Sequence, residues 1–147
     1  GKLEEILKGQ NELLKVLESV GKPIFVQLGD KKKVLRVNEI SFITTNPKGL
    51  DIYTTDGNKY INFDSISQVA EDFKDDLRLM KTHKSFIVNL NEIDSVKVIS
   101  GGRELTFKGL NPDITAKITS DALEEFQKRL RYVFCDKKIQ NFERWRY

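Results

Sequence analysis

Cysteine, histidine and tryptophan each occur once in this chain of 147 residues. A lone thiol, Cys135, excludes a disulfide within the chain. One cysteine with one histidine also falls short of the roughly four nitrogen and sulfur ligands of a structural zinc site. The same scarcity argues against catalysis. Cys135 and His83 would serve as nucleophile and base only if folding joined them, and nothing in their local sequence orients either. A glycine-rich phosphate loop and a histidine–carboxylate cluster are missing as well, so the chain reads as a non-enzyme without a cofactor or metal. No apolar run approaches the roughly 18–20 residues of a membrane-spanning helix, and no signal peptide is visible. The expectation is therefore a cytoplasmic protein that does not insert directly into a membrane. Internal repeats and low-complexity segments are also missing.

What is present suits one modest domain with an appended helix. The hydrophobic fraction is 39% and the charged fraction 32%, with a net charge of only +3. So slight an excess permits nucleic-acid binding without demonstrating it, and any anion-binding surface must come from local clustering.

Residues 1–22 form the first unit. Leu3, Ile6, Gln10, Leu13, Leu17 and Val20 alternate spacings of three and four, the seam of a short coiled coil. Leu7, Leu14 and Val16 widen its apolar face. Three roles are open: homodimerisation through Leu3, Ile6, Leu13, Leu17 and Val20, linkage to an upstream domain, or packing on the chain's own domain. Gly21-Lys22-Pro23 ends the helix, because proline cannot continue it.

Residues 23–134 read as a mainly β domain with two helices. Short β-prone runs at Ile24–Leu28, Val34–Val37, Ile40–Thr45, Leu50–Thr55 and Lys59–Phe63 are separated by turn chemistry. That chemistry includes Gly29-Asp30-Lys31-Lys32-Lys33, Asn46-Pro47-Lys48-Gly49 and the hairpin signal Asp56-Gly57. A helix capped by Asp64 or Ser65 is expected to run to about Asp76, burying Ile66, Val69, Ala70, Phe73 and Leu77. Strands are expected again at Phe86–Asn89, Ile93–Ile99, Glu104–Phe107 and Ile114–Ile118, with Gly101-Gly102 as a turn. A last helix from Thr119 or Ser120 carries the stripe Leu123, Phe126, Leu130 and Val133. Residues 135–147 form a basic, aromatic extension.

The segment Lys81-Thr82-His83-Lys84-Ser85-Phe86-Ile87-Val88-Asn89 resembles the signature of bacterial LytTR DNA-binding domains. It follows several strands and a helix, as in that family. Val37-Asn38-Glu39-Ile40-Ser41-Phe42-Ile43 and the hairpin Ile52-Tyr53-Thr54-Thr55-Asp56-Gly57 are similar too, so the likeness spans about Pro23 to Leu130. It implies an elongated antiparallel β fold that binds double-stranded promoter DNA through loops between strands, with no recognition helix. It also implies pairing on direct repeats. A further implication is a response-regulator setting in a two-component system, with an upstream receiver domain or a regulatory protein as the source of activation. Lysines stand at Lys81 and Lys84, where the family commonly has arginines. They keep the charge but lose the planar, two-pronged donor. Ser120 stands where many members carry a base-reading arginine, leaving Lys117 as the compensating cation.

The candidate DNA contacts are accordingly Lys81, His83, Lys84, Ser85, Lys48, Lys117 and Ser120, with Lys31, Lys32 and Lys33 as candidate phosphate contacts. Each has a plainer reading. A lone histidine is commonly structural, Lys48 sits on an ordinary hairpin, and a lysine run is commonly just solvated. Ser85 is balanced between contact and support. Asn89 reads as a buried residue holding the loop through backbone hydrogen bonds. The competing function is a protein-interaction module that docks a regulatory or membrane partner through its N-terminal helix.

Overall fold

The computed structural model describes residues 22–133. The N-terminal seam and the C-terminal extension, with the roles expected of them, lie outside the described residues. Within them the chain is mainly antiparallel β. The strands are β1 (Ile24–Leu28), β2 (Lys31–Leu35), β3 (Ile40–Asn46), β4 (Gly49–Thr54), β5 (Lys59–Asn62), β6 (Leu79–His83), β7 (Phe86–Asn89), β8 (Ile93–Ile99), β9 (Gly102–Phe107) and β10 (Ala116–Thr119). Helix α1 (Ile66–Asp72) separates β5 from β6, and α2 (Leu123–Val133) follows β10.

Strands β1 to β7 form a seven-stranded sheet in the order β2-β1-β5-β4-β3-β7-β6, and β10-β9-β8 form a three-stranded sheet. Period-two alternation explains the layering, because successive side chains on a strand face opposite sides. One face of the large sheet sets Ile43, Ile52 and Tyr60 in register beside Ile87. These pack with Ile66 and Val69 of α1 and with Phe73 just after it into one core. The opposite face sets Met80, Val88, Phe42 and Tyr53 in register. That row meets Leu105 and Phe107 of β9, Ala116 and Ile118 of β10, and Phe126 and Leu130 of α2 in a second core. The Phe42 ring stacks between Tyr53 and Phe107, with centroids 4.6 and 4.7 Å away.

Several boundaries differ from the sequence expectation. Helix α1 stops at Asp72 rather than Asp76, and Leu77 is 49% exposed instead of buried. The cause is Asp76. Its buried carboxylate accepts the backbone N–H of Arg78 and pairs with that residue's guanidinium, turning the chain out of the helix. Strand β6 was not expected, since Leu-Met-Lys-Thr-His carries little of the aliphatic alternation of a strand. Lys31-Lys32-Lys33 belongs to β2 rather than to a turn, and Gly29, at φ 58°, makes the reversal with Asp30. Gly102 already lies in β9, and the last strand runs Ala116–Thr119.

Asn89 is buried and bonded to backbone as its sequence context suggests, but it ties the far end of β7 to the turn entering β3 rather than holding the β6–β7 turn. Its Nδ2 donates to the carbonyls of Val37 and Ile40 at 3.1 and 2.8 Å, and its Oδ1 accepts from Asn91 N. At the hairpin of Asp56 and Gly57 the Thr54 hydroxyl donates to the Asp56 carboxylate, which holds that carboxyl below its usual range.

Candidate nucleic-acid interface

Antiparallel pairing carries the β3–β4 hairpin and the β6–β7 turn to the same end of the large sheet, because β3 pairs with both β4 and β7. The hairpin Asn46-Pro47-Lys48-Gly49 is shaped by Asn46, whose Oδ1 accepts the N–H groups of Lys48 and Gly49, each at 2.7 Å. Its Nδ2 donates to Asp51 Oδ1 at 2.9 Å. This side-chain-built turn leaves Lys48 exposed at the tip. Gly49 is required by close approach, since a Cβ there would lie 2.4 Å from the carbonyl oxygen of Asn62. Thr45 N donates to Ser85 O at 3.2 Å, fastening the hairpin to the neighbouring turn.

In that turn Ser85 N donates to His83 Nδ1 at 3.0 Å. A backbone N–H can only donate, so Nδ1 acts as acceptor and Nε2 is the ring donor left for a ligand. The half-buried imidazole also stands edge-on to Phe86, with centroids 5.4 Å apart. Ser85 thus shapes the site through its main chain, while Lys84 is exposed at the turn.

A β-bulge at Thr82 separates Lys81 from His83: Lys81 pairs with Ile87, and His83 pairs with Phe86, the adjacent residue. Residues two apart on a regular strand share a face. The extra residue puts these two on opposite faces, so Lys81 lies in register with the α1-side core and His83 with the second core. Thr82 is not among the candidate contact residues legible in the sequence. It is 1% exposed, and its hydroxyl donates to the carbonyl of Lys117 at 2.8 Å, joining the edge of β6 to the edge of β10. A polar residue inside the signature, flanked by lysine and histidine, was the available signal.

The Thr82 bond brings the junction of β10 and α2 beside the turn. Lys81, Thr82, His83 and Lys84 then line a shallow groove with Thr119, Asp121 and Ala122. Ser120 is exposed at the junction, and its N–H is bonded to Gly101 O at 3.1 Å. Lys117 stands in the same strand but outside the groove lining, in register with Glu104 and, beyond it, Lys97. Asp121 adds a carboxylate to the lysines and histidine that line the groove.

Lys31, Lys32 and Lys33 lie elsewhere. Strand β2 is the far edge of the seven-stranded sheet, six strand spacings from β6, or about 29 Å at the usual 4.8 Å spacing. Lys31 is also at the opposite end of its strand from the loops, paired with Leu28. Lys33 is further engaged, 4.0 Å from Glu39 and 5.7 Å over the ring of Tyr60.

This fold has counterparts among known proteins. The family model for the LytTr DNA-binding domain matches residues 30–131. Among solved structures, the LytTr DNA-binding domain of a putative methyl-accepting/DNA response regulator from Bacillus cereus superposes with a TM-score of 0.58 at 14% identity. That superposition covers 74% of this chain and 95% of the other. No curated protein matches. With the family model spanning more than half of the chain, this protein belongs to the LytTr family of DNA-binding domains.

Proposed function

We propose that the protein is a cytoplasmic transcriptional regulator that reads duplex DNA sequence-specifically, with two copies engaging repeated half-sites. What supports the reading is the cluster of the β3–β4 hairpin, the β6–β7 turn and the β10–α2 junction at one sheet end, carrying Lys48, His83 and Lys84 outward. Lys84 and Lys48 supply the phosphate attraction. His83, presenting Nε2–H, matches acceptors on base edges such as guanine O6 and N7. Lys81 anchors phosphate from the other face of the sheet, while Lys117 and Ser120 flank the contact. The response-regulator setting implied by the family supplies activation through a receiver domain or a partner protein.

The test is selection of binding sites from a random duplex library, followed by anisotropy titrations on the enriched sequence and a scrambled one. Enrichment of one motif in two copies at fixed spacing, with scrambled duplex bound at least tenfold more weakly, is the expected result. Uniform affinity for all duplexes at physiological salt would overturn sequence-specific reading.

A further inference from the structure

Among the described residues, the face of the seven-stranded sheet that meets the second sheet is covered over only part of its width. Across β6, β7, β3 and β4 it is sealed by Leu105, Phe107, Ala116 and Ile118. Beyond β4, on β5, β1 and β2, the same face continues in the open. Phe25 is 69% exposed and Phe63 67%, with Val34 and Ile61 also exposed. Phe25 and Val34 are cross-strand partners, and these four residues line one shallow groove with Gln27 and Lys32. A contiguous apolar patch with two bare phenylalanines is not an ordinary solvent face.

We propose that the N-terminal segment of the same chain, residues 3–20, seats its apolar seam on this open half of the sheet, over Phe25, Val34, Ile61 and Phe63. Chain connection argues for it. Only Gly21, Lys22 and Pro23 separate the seam from β1, a reach of about 10 Å when extended. The segment therefore enters beside Phe25, the second residue of that strand. The seam needs a partner: Leu3, Ile6, Leu13, Leu17 and Val20 cannot all face water in a stable helix. Charge agrees, since Glu4, Glu5, Glu12 and Glu18 outnumber Lys2, Lys8 and Lys15, while the exposed Lys32 lines the groove of the patch. A short tether gives an effective concentration in the mM range, so the chain's own segment outcompetes a second copy at micromolar protein. The C-terminal extension starts from the opposite edge of the sheet, following α2, which packs on β6. Covering here also puts the segment beside the β3–β4 hairpin, because a Cβ at Gly49 would lie 3.0 Å from Phe63 Cα.

The test uses the full chain with Cys135→Ser, which removes its one thiol. Leu17→Cys and Phe63→Cys are introduced together and oxidised at micromolar concentration. Phe63 is exposed and outside both buried cores, and circular dichroism verifies that the double variant keeps its fold. The expected product is a disulfide within one chain, seen as monomeric mass without reductant. A second measurement uses Phe63→Cys alone. Its thiol should react with a maleimide about tenfold more slowly than when Leu13→Glu and Leu17→Glu are added to open the contact. A disulfide formed only between chains would assign the patch to a second copy and overturn the proposal. Unchanged maleimide reactivity would overturn it as well, leaving the patch uncovered by this segment.

Discussion

Ser41 lies completely buried beside the β3 bulge, and its hydroxyl oxygen has no hydrogen-bond partner. Burying an unmade hydrogen bond costs about 1–3 kcal/mol. Ser41→Ala removes the stranded oxygen without opening a large cavity, and should stabilise the fold by about 1 kcal/mol, read as a higher urea midpoint at unchanged slope. His83 and Lys84, neighbours in sequence, should fail differently when each is changed to alanine. Lys84→Ala weakens binding to selected and scrambled duplex alike and lowers the salt slope by about one. His83→Ala removes a ring donor and should cost about 1–2 kcal/mol on the selected duplex alone. Equal losses on both duplexes would show His83 to be only another electrostatic contact. The histidine was evident in the sequence as a candidate. Its presented nitrogen was not, because that depends on a hydrogen bond to Ser85 N that exists only in the folded turn.

At the scale of elements, the interface depends on loops being held side by side, and Thr82 supplies one of the fastenings. Its hydroxyl satisfies a carbonyl on the free edge of β10. Thr82→Val keeps the side-chain shape and β propensity but leaves Lys117 O unsatisfied. The expected loss is about 1–2 kcal/mol of stability. Affinity for selected DNA should fall although no presumed contact residue is altered, checked by denaturation and anisotropy on one preparation. An unchanged affinity would mean that the β10–α2 junction is not part of the interface. The β-rich texture, the Asp56-Gly57 hairpin and both described helices were legible from alternation and turn chemistry. Strand β6 and the early end of α1 were not. One is a strand because β7 offers it a partner, and the other ends because buried Asp76 captures Arg78. Both causes are contacts of the folded chain that the alternation pattern of the segment does not encode.

For the whole molecule, the seven-stranded sheet separates two groups of lysines that sequence alone weighs together. Lys48 and Lys84 share the loop-bearing end with His83, whereas Lys31 and Lys32 occupy the far edge strand. Exposed lysines on an edge strand have a simpler task, discouraging strand-to-strand aggregation. Lys31→Ala with Lys32→Ala should therefore leave specific affinity within about twofold at physiological salt, where screening extends over about 8 Å. Lys48→Ala with Lys84→Ala should reduce it at least tenfold, two phosphate contacts being lost. Comparable losses from both pairs would move the DNA path across the sheet. The family, the β class and the histidine-bearing signature were determined by the sequence itself, because strand alternation, turn residues and a contiguous motif are all local in the chain. Which lysines stand with His83, which face each side chain takes after the Thr82 bulge, and which half of the large sheet the second sheet covers were decided only by tertiary structure. Those outcomes depend on strand order and register, set by pairings between residues distant in the chain.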